Sequence, residues 1–184
     1  MQEKYDYIVI GGGVVGAMIA RWLSRYEGRL LLIEKEADIG MGCSSANTAI
    51  VHAGYDPLPG SLKALMNVRA NPMWDQLAGE LNFPFERRGD YVVAVGEEEL
   101  PLVEKLMQQG IRNGVPGMTM IDGPEMRSRE RDINPETSGA LWATTGGICD
   151  PFQVTVAAAE NAVNNGATVL LNTEFQDFIW EGNR

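Results

Sequence analysis

The sequence is poor in cysteine, in histidine and in clustered positive charge, and these shortages bound what it does. Only two cysteines occur, Cys43 and Cys149. They lie far apart and in no CxxC pair, which argues against a zinc site or an iron–sulfur cluster. No metal is therefore expected, and a reducing compartment is the simple reading. Basic residues number 15 against 25 acidic ones, for a formal net charge of −10. With no basic run of five or more, neither nucleic acid nor an anionic membrane surface is an expected partner. An anionic substrate would need a local cluster of Arg or Lys, because the overall field opposes it. No apolar run reaches the roughly 18 residues of a membrane helix, and Met1–Gly13 lacks the layout of a signal peptide. The expectation is a cytoplasmic protein with no integral membrane segment; peripheral attachment stays open.

What is present is a globular pattern: 184 residues, 45% hydrophobic and 22% charged, enough for one medium domain or parts of two. Tyr5 to Ile10 reads as a fully buried parallel strand. Val14 to Tyr26 has helical spacing, with Val15, Ile19, Trp22 and Leu23 offering a buried face, and Arg29 to Ile33 reads as a second strand ending in Glu34. Residues 37–55 read as an extended segment rich in small residues. Ser61 can cap a helix carrying Leu62, Leu65, Met66, Leu77 and Leu81, which Pro72 should kink or split. A strand is expected over 89–95, an amphipathic helix over 97–109, a loop-rich stretch over 113–136 and a strand over 139–144. A helix over 151–165 and strands over 167–172 and 175–180 complete the pattern. Phe175 to Trp180 would be an apolar edge strand in need of a partner, a liability in a complete protein, so an incomplete chain is expected.

Gly11-x-Gly13-x-x-Gly16 falls between the first strand and the first helix. The first glycine permits the tight turn, the second lets a pyrophosphate approach the backbone, and the third lets the helix pack close on the sheet. The helix N-terminus offers N–H groups and partial positive charge to phosphate. Glu34 lies 18 residues after Gly16, where a carboxylate can accept both hydroxyls of an adenosine ribose and repel a 2′-phosphate. Strand, turn, helix and acid at these offsets form a dinucleotide-binding βαβ unit.

NAD and FAD share this fingerprint, and the residues beyond the second strand decide between them. The run Gly40-Met-Gly-Cys-Ser-Ser-Ala-Asn-Thr-Ala-Ile-Val-His-Ala-Gly54 is small and hydroxyl-rich, suited to lying against a large flat cofactor. This segment resembles the D-amino-acid-oxidase-like superfamily of FAD-dependent oxidoreductases. Within it, the likeness is nearest to L-2-hydroxyglutarate oxidases and glycerol-3-phosphate dehydrogenases. Ile8–Gly16, Ile33-Glu34-Lys35, Asn47–Tyr55, Pro59–Ala64, Phe85–Asp90, Gly139–Trp142 and Thr145–Pro151 carry the resemblance. Relatives often have Asn-Ser-Gly where this chain has Asn47-Thr48-Ala49, and they are roughly twice its length.

The resemblance implies an α/β protein with a Rossmann-like, glutathione-reductase-type FAD-binding domain and part of an inserted α+β substrate domain. FAD-domain sequence is expected over residues 1–80, partial substrate-binding domain over 81–145, and a return to the FAD domain over 146–184. The expected cofactor is FAD, contacted by Gly11, Gly13, Val14, Val15, Gly16, Glu34, Lys35, Ser44, Ser45, Asn47 and Thr48. His52, the only histidine, is the implied catalytic residue beside the flavin, with a purely structural role as its alternative. One of Arg87 and Arg88 is a candidate for an anionic substrate group, Lys63 and Arg69 are most simply solvated, and Cys43 reads as a small buried filler. The implied function of the parent is hydride transfer from a secondary alcohol, a 2-hydroxy acid or glycerol 3-phosphate, to flavin. Oxygen, a quinone or a protein carrier would then reoxidise it. The isolated chain is expected to be inactive. An amino-acid or N-methyl-amino-acid oxidase, or a non-catalytic nucleotide-binding fragment, remain alternatives.

Overall fold

The computed structural model describes residues 4–180 and 182. In chain order the regular elements are β1 (Tyr7–Ile10), α1 (Val14–Leu23), β2 (Leu30–Ile33), β3 (Ile50–Val51), α2 (Leu62–Ala70), α3 (Trp74–Leu81), β4 (Phe85–Glu86) and β5 (Asp90–Val95). After these come α4 (Leu100–Asn113), β6 (Met118–Asp122), α5 (Gly123–Arg129), β7 (Thr137–Ala143), β8 (Gly147–Cys149), α6 (Pro151–Asn164) and β9 (Thr168–Leu170). They form two compact units. The first comprises the described residues of Met1–Thr48, Gly79–Pro84 and Asp150–Arg184; the second comprises Ala49–Ala78 and Phe85–Cys149. Among the described residues no helix is long and apolar enough to cross a membrane.

The first unit is a parallel sheet of order β1-β2-β9. Tyr7 pairs with Leu30 and Ile10 with Ile33, while Leu31 pairs with Thr168 and Ile33 with Leu170. β2 is central and buried along its whole length. β1 departs from the fully buried strand its composition suggests. Only Val9 is buried, and Ile8 and Ile10 remain about half exposed, at 57% and 50%. Alternation accounts for the split: Val9 points into the core with Leu30 and Leu32, and its two neighbours point to the other face.

Helix α1 corrects a second expectation. Its buried residues are Ala17, Ala20 and Arg21, whereas Val15, Ile19 and Trp22 are exposed. Leu23 alone of the expected set packs on the core, and it is only partly buried. Ala17 and Ala20 meet Ala158, Ala159 and Ala162 of α6 in one core cluster. Methyl side chains let two backbones approach closely, so the alanine stripe wins the interior over the larger residues beside it.

The second unit holds two antiparallel sheets, β5-β7-β6 and β3-β8-β4. Its core joins Ala53, Tyr55, Ala94, Val103, Val115, Leu141 and Ala143. Ser61 caps α2 by accepting from the Ala64 N–H at 3.2 Å, and a single 3₁₀ turn over Asn71–Met73, containing Pro72, separates α2 from α3. The helical stretch from 97 opens as a 3₁₀ turn before α4 begins. The stretch expected to be loop instead contains β6 and α5, the latter capped by Asp122, which accepts from Glu125 N–H at 2.8 Å. Phe175 to Trp180, expected as a strand, has no regular structure. Its rings pack against one another in tilted pairs, Phe175 with Phe178 at 4.6 Å and Phe178 with Trp180 at 5.9 Å between centroids. A strand exists only where a neighbour completes its hydrogen bonds.

Within the first unit the buried Arg21 forms an ion pair with Glu80. Removing one partner of a buried pair leaves an uncompensated charge and costs about 3–5 kcal/mol. Glu80 is 39% exposed, so water compensates in part, and Glu80→Ala should cost about 2 kcal/mol. Urea unfolding of the variant checks this; stability equal to that of the parent chain would mean the pair carries no weight.

Candidate functional site: the glycine turn and its acid

The turn after β1 is set by two backbone requirements. Gly11 has φ +99°, the left-handed region that glycine occupies without strain. Gly16 sits so near that turn that a Cβ on it would overlap the Gly11 carbonyl oxygen. Helix α1 therefore starts directly over the strand end. Its N-cap is Gly13, which has no side chain to cap it. A Cβ placed on Gly13 would meet only Ser44 Oγ, at 3.2 Å. The space beside Gly13 is open within 4 Å apart from that hydroxyl, which fits the approach of a phosphate group.

Glu34 comes directly after β2 and reaches this turn. Its Oε2 accepts from the Gly12 N–H at 2.5 Å and its Oε1 from the Glu36 N–H at 2.9 Å. The Glu36 bond, then those from the Gly12 and Lys35 backbone, hold its carboxyl below the usual carboxylate range against the opposing effect of burial. Ser44 Oγ accepts from the Val14 N–H at 2.8 Å. Gly11, Gly13, Val14, Gly16, Glu34 and Ser44 thus meet at one place, and Val15 comes next in the first turn of α1 with 70% of its surface exposed.

The other candidates fall elsewhere. Lys35 is exposed and pairs with Glu36 at 3.5 Å. Ser45 Oγ donates to the Gly42 carbonyl at 2.9 Å, and Asn47 Nδ2 to the Ser44 carbonyl at 2.9 Å and that of Cys43 at 3.3 Å; these are turn bonds within one loop. Thr48 is exposed. Cys43, expected as a buried filler, is also exposed, because it sits on this same loop surface. His52 lies in the second unit, exposed, and its carbonyl accepts from Asn71 Nδ2 at 3.0 Å.

Arg87 is committed within the second unit. Nη1 donates to Asn71 Oδ1 at 2.9 Å and to the Thr145 carbonyl at 2.6 Å. Nη2 donates to the Asn71 carbonyl and to Asp75 Oδ2, each at 2.6 Å, and Nε donates to Asp75 Oδ2 at 2.9 Å. Arg88 pairs with Glu86, and Lys63 with Asp56 at 3.6 Å. Asn71 and Asp75 were not singled out from sequence; nothing local marks them, since their role is to bind Arg87 across the fold. Ala49 has φ +62°, a conformation that costs a residue with a Cβ about 1–2 kcal/mol. This gives the Ala49 departure from glycine a backbone cost.

The model of the DAO family, FAD dependent oxidoreductases, matches residues 6–184. The chain is 44% identical over 173 residues to a glycerol 3-phosphate dehydrogenase of Caloramator mitchellensis, spanning 94% of this chain and 36% of that protein. It is 33% identical over 180 residues to a mitochondrial L-2-hydroxyglutarate dehydrogenase of Nematostella vectensis, spanning 96% and 39%. The structure of dithionite-reduced L-alpha-glycerophosphate oxidase from Mycoplasma pneumoniae with FAD bound superposes with a TM-score of 0.88 at 30% identity, over 94% of this chain and 46% of that one. The chain thus spans less than half the length of these relatives.

The local geometry sets two expected outcomes. Glu34 is an acid whose carboxyl is depressed on folding, so its stabilisation is present above its unfolded value, near 4.5, and is lost as pH falls through the folded value. Urea unfolding across the acid range should show a steeper loss for the parent chain than for Glu34→Gln; parallel curves would contradict the assigned bonds. Ala49→Gly should raise stability by about 0.5–1 kcal/mol, the relieved strain being partly offset by a more flexible unfolded chain. A lowered Tm would argue against the left-handed backbone at 49.

Proposed function

The chain belongs to the DAO family of FAD-dependent oxidoreductases, and from that premise we propose that it is the FAD-binding portion, with the first part of the substrate domain, of an enzyme that oxidises a secondary alcohol. The observation that carries the reading is the meeting of Glu34 with the glycine turn at the N-terminus of α1. FAD sequence is assigned to residues 1–80 and 146–184, and partial substrate-domain sequence to 81–145. The name of the relative at 44% identity favours glycerol 3-phosphate as substrate, and that of the relative at 33% a 2-hydroxy acid, L-2-hydroxyglutarate. Both are small anions.

In this reading the N-terminus of α1, at Val14 and Val15, faces the pyrophosphate, Val14 through Ser44 Oγ, to which its N–H donates, with Gly11, Gly13 and Gly16 leaving room for it. Glu34 accepts the ribose hydroxyls, and Lys35, Ser44, Ser45, Asn47 and Thr48 line the cofactor's path. When bound, FAD supplies a two-electron acceptor for the hydride of the substrate C–H bond. A ring nitrogen of His52 takes the substrate hydroxyl proton. Oxygen, a quinone or a protein carrier serves as the final acceptor, and the enzyme works in the cytoplasm.

The test begins with the purified chain and added FAD. A flavin spectrum with tight binding is expected, and Gly13→Val should abolish it, since a branched side chain fills the space in front of the turn. Glu34→Arg should weaken binding by at least about tenfold, the scale of one lost charged hydrogen bond. Affinity unchanged in both variants would sink the reading. On a full-length protein containing this chain, dye reduction with glycerol 3-phosphate, L-2-hydroxyglutarate and glycine then separates alcohol from amine oxidation; turnover of glycine alone would overturn the alcohol assignment.

A further inference from the structure

The second unit brings together three titratable side chains, those of His52, Tyr55 and Asp90. The Tyr55 hydroxyl donates to Asp90 Oδ2. The other carboxylate oxygen, Oδ1, is buried with no hydrogen-bond partner among the described residues. Burial raises the Asp90 carboxyl above its ordinary value, while the Tyr55 bond and the charge of His52 act in the opposite sense. Burial and Asp90 likewise push the Tyr55 phenol upward, with Asp56 adding to the effect.

Backbone register explains why His52 is near. β3 and β8 pair antiparallel, Ile50 with Ile148 and Val51 with Gly147. His52 follows Val51 directly, and Gly146 directly precedes Gly147. Gly146 in turn lies against Asp90: a Cβ there would overlap Asp90 Oδ1, and the Gly146 carbonyl accepts from the Gly89 N–H at 2.9 Å. On the other side, Asn71 Nδ2 ties the His52 carbonyl to that of Thr145, at 3.0 and 2.9 Å. The backbone of His52 and the segment that packs on the buried oxygen are thus tied together through Asn71 and Gly146. A buried acceptor left unpaired is unfavourable, and the imidazole of His52 is a donor within electrostatic reach of it.

We propose that Asp90, pinned by Tyr55 and admitted by the bare backbone of Gly146, is a positioning residue for His52, orienting its ring and fixing which ring nitrogen carries the proton. The proposal rests on the reading of His52 as proton acceptor and specifies it: the nitrogen turned to Asp90 donates to the carboxylate, and the other is left free for the substrate hydroxyl. Tyr55 sets the carboxylate by occupying Oδ2, which leaves Oδ1 as the free acceptor. Arg87 does not compete for this carboxylate, being bonded to Asp75, Asn71 and Thr145.

His52 is the only histidine, so chain 1–184 labelled with ¹⁵N-histidine gives one imidazole signal, and the shifts of its two nitrogens report the tautomer of the neutral ring. One tautomer should dominate. Asp90→Ala should change the tautomer ratio by about tenfold, the scale of a charge-assisted hydrogen bond. Asp90→Asn, which restores an acceptor of the same shape, should recover part of it, and a merely structural role would not give that order. Tyr55→Phe should move the ratio in the same direction as Asp90→Ala by a smaller factor, and it carries the test if the Asp90 variants do not fold. An even mixture in the parent chain would overturn the proposal, as would an unchanged ratio in Asp90→Ala, or in Tyr55→Phe where that variant carries the test. Neither flavin nor substrate takes part, so such a failure is distinct from failure of the catalytic reading, which is judged by turnover of His52→Gln in the full-length protein.

Discussion

The missing side chain at Gly16 is the constraint on which the first unit depends. Any Cβ there would overlap the Gly11 carbonyl, so only glycine lets α1 begin directly over the end of β1. That start position fixes the direction of the helix across the sheet, and the direction fixes which of its residues meet α6. Ala17 and Ala20 then lie against the alanines of α6. The same start puts the open first turn of α1 beside the end of β2, within reach of Glu34. Packing and site therefore have one cause: a close backbone approach that a single methyl group would forbid.

Local signals were legible because their physics is local. A glycine turn, a serine cap at Ser61 and a proline at 72 act within a few residues, and each is found at its expected place. The burial of β1 and the inner face of α1 were misread because they depend on what stands opposite. Val15, Ile19 and Trp22 are as apolar as a core requires, yet the alanines took the interior, since helix spacing is decided by both partners. The strand and helix within 113–136 were missed through their shortness, although Asp122-Gly-Pro-Glu125 is a readable helix start. Residues 49–78 pack in the second compact unit; no pattern along a chain states which core a helix joins.

The second unit shows how a polar network can occupy residues that look functional. Arg87 has the position and charge of an anion-binding residue, but five hydrogen bonds commit it to Asn71, Asp75 and Thr145. Its hydrogen bond is the first cause of the lowered Asp75 carboxyl. A guanidinium presents five N–H donors in a fixed plane and tolerates burial when they are matched. Three of its partners are backbone carbonyls or the Asn71 amide, so the arginine ties loop to helix. Asn71 bonds both the Thr145 and His52 carbonyls, and the loop bearing His52 is held by the same network.

The proposed reading sets an acidic side chain beside a phosphate site in a chain of net charge −10, and the geometry of Glu34 bears on that pairing. Its oxygens accept from the backbone N–H groups of Gly12 and Glu36, and the Lys35 backbone adds to them. Those donors spread and screen the negative charge that would otherwise repel a pyrophosphate across the turn. A carboxylate has about four lone-pair sites, more than these backbone bonds occupy. A ribose diol has two hydroxyls to donate. In the proposed reading the carboxylate keeps acceptor capacity for it, whereas a glutamine at 34 would offer one oxygen and turn its amide hydrogens toward an N–H donor. In that reading one carboxylate serves the fold through its bonds to the turn and the ligand through the acceptor capacity that remains.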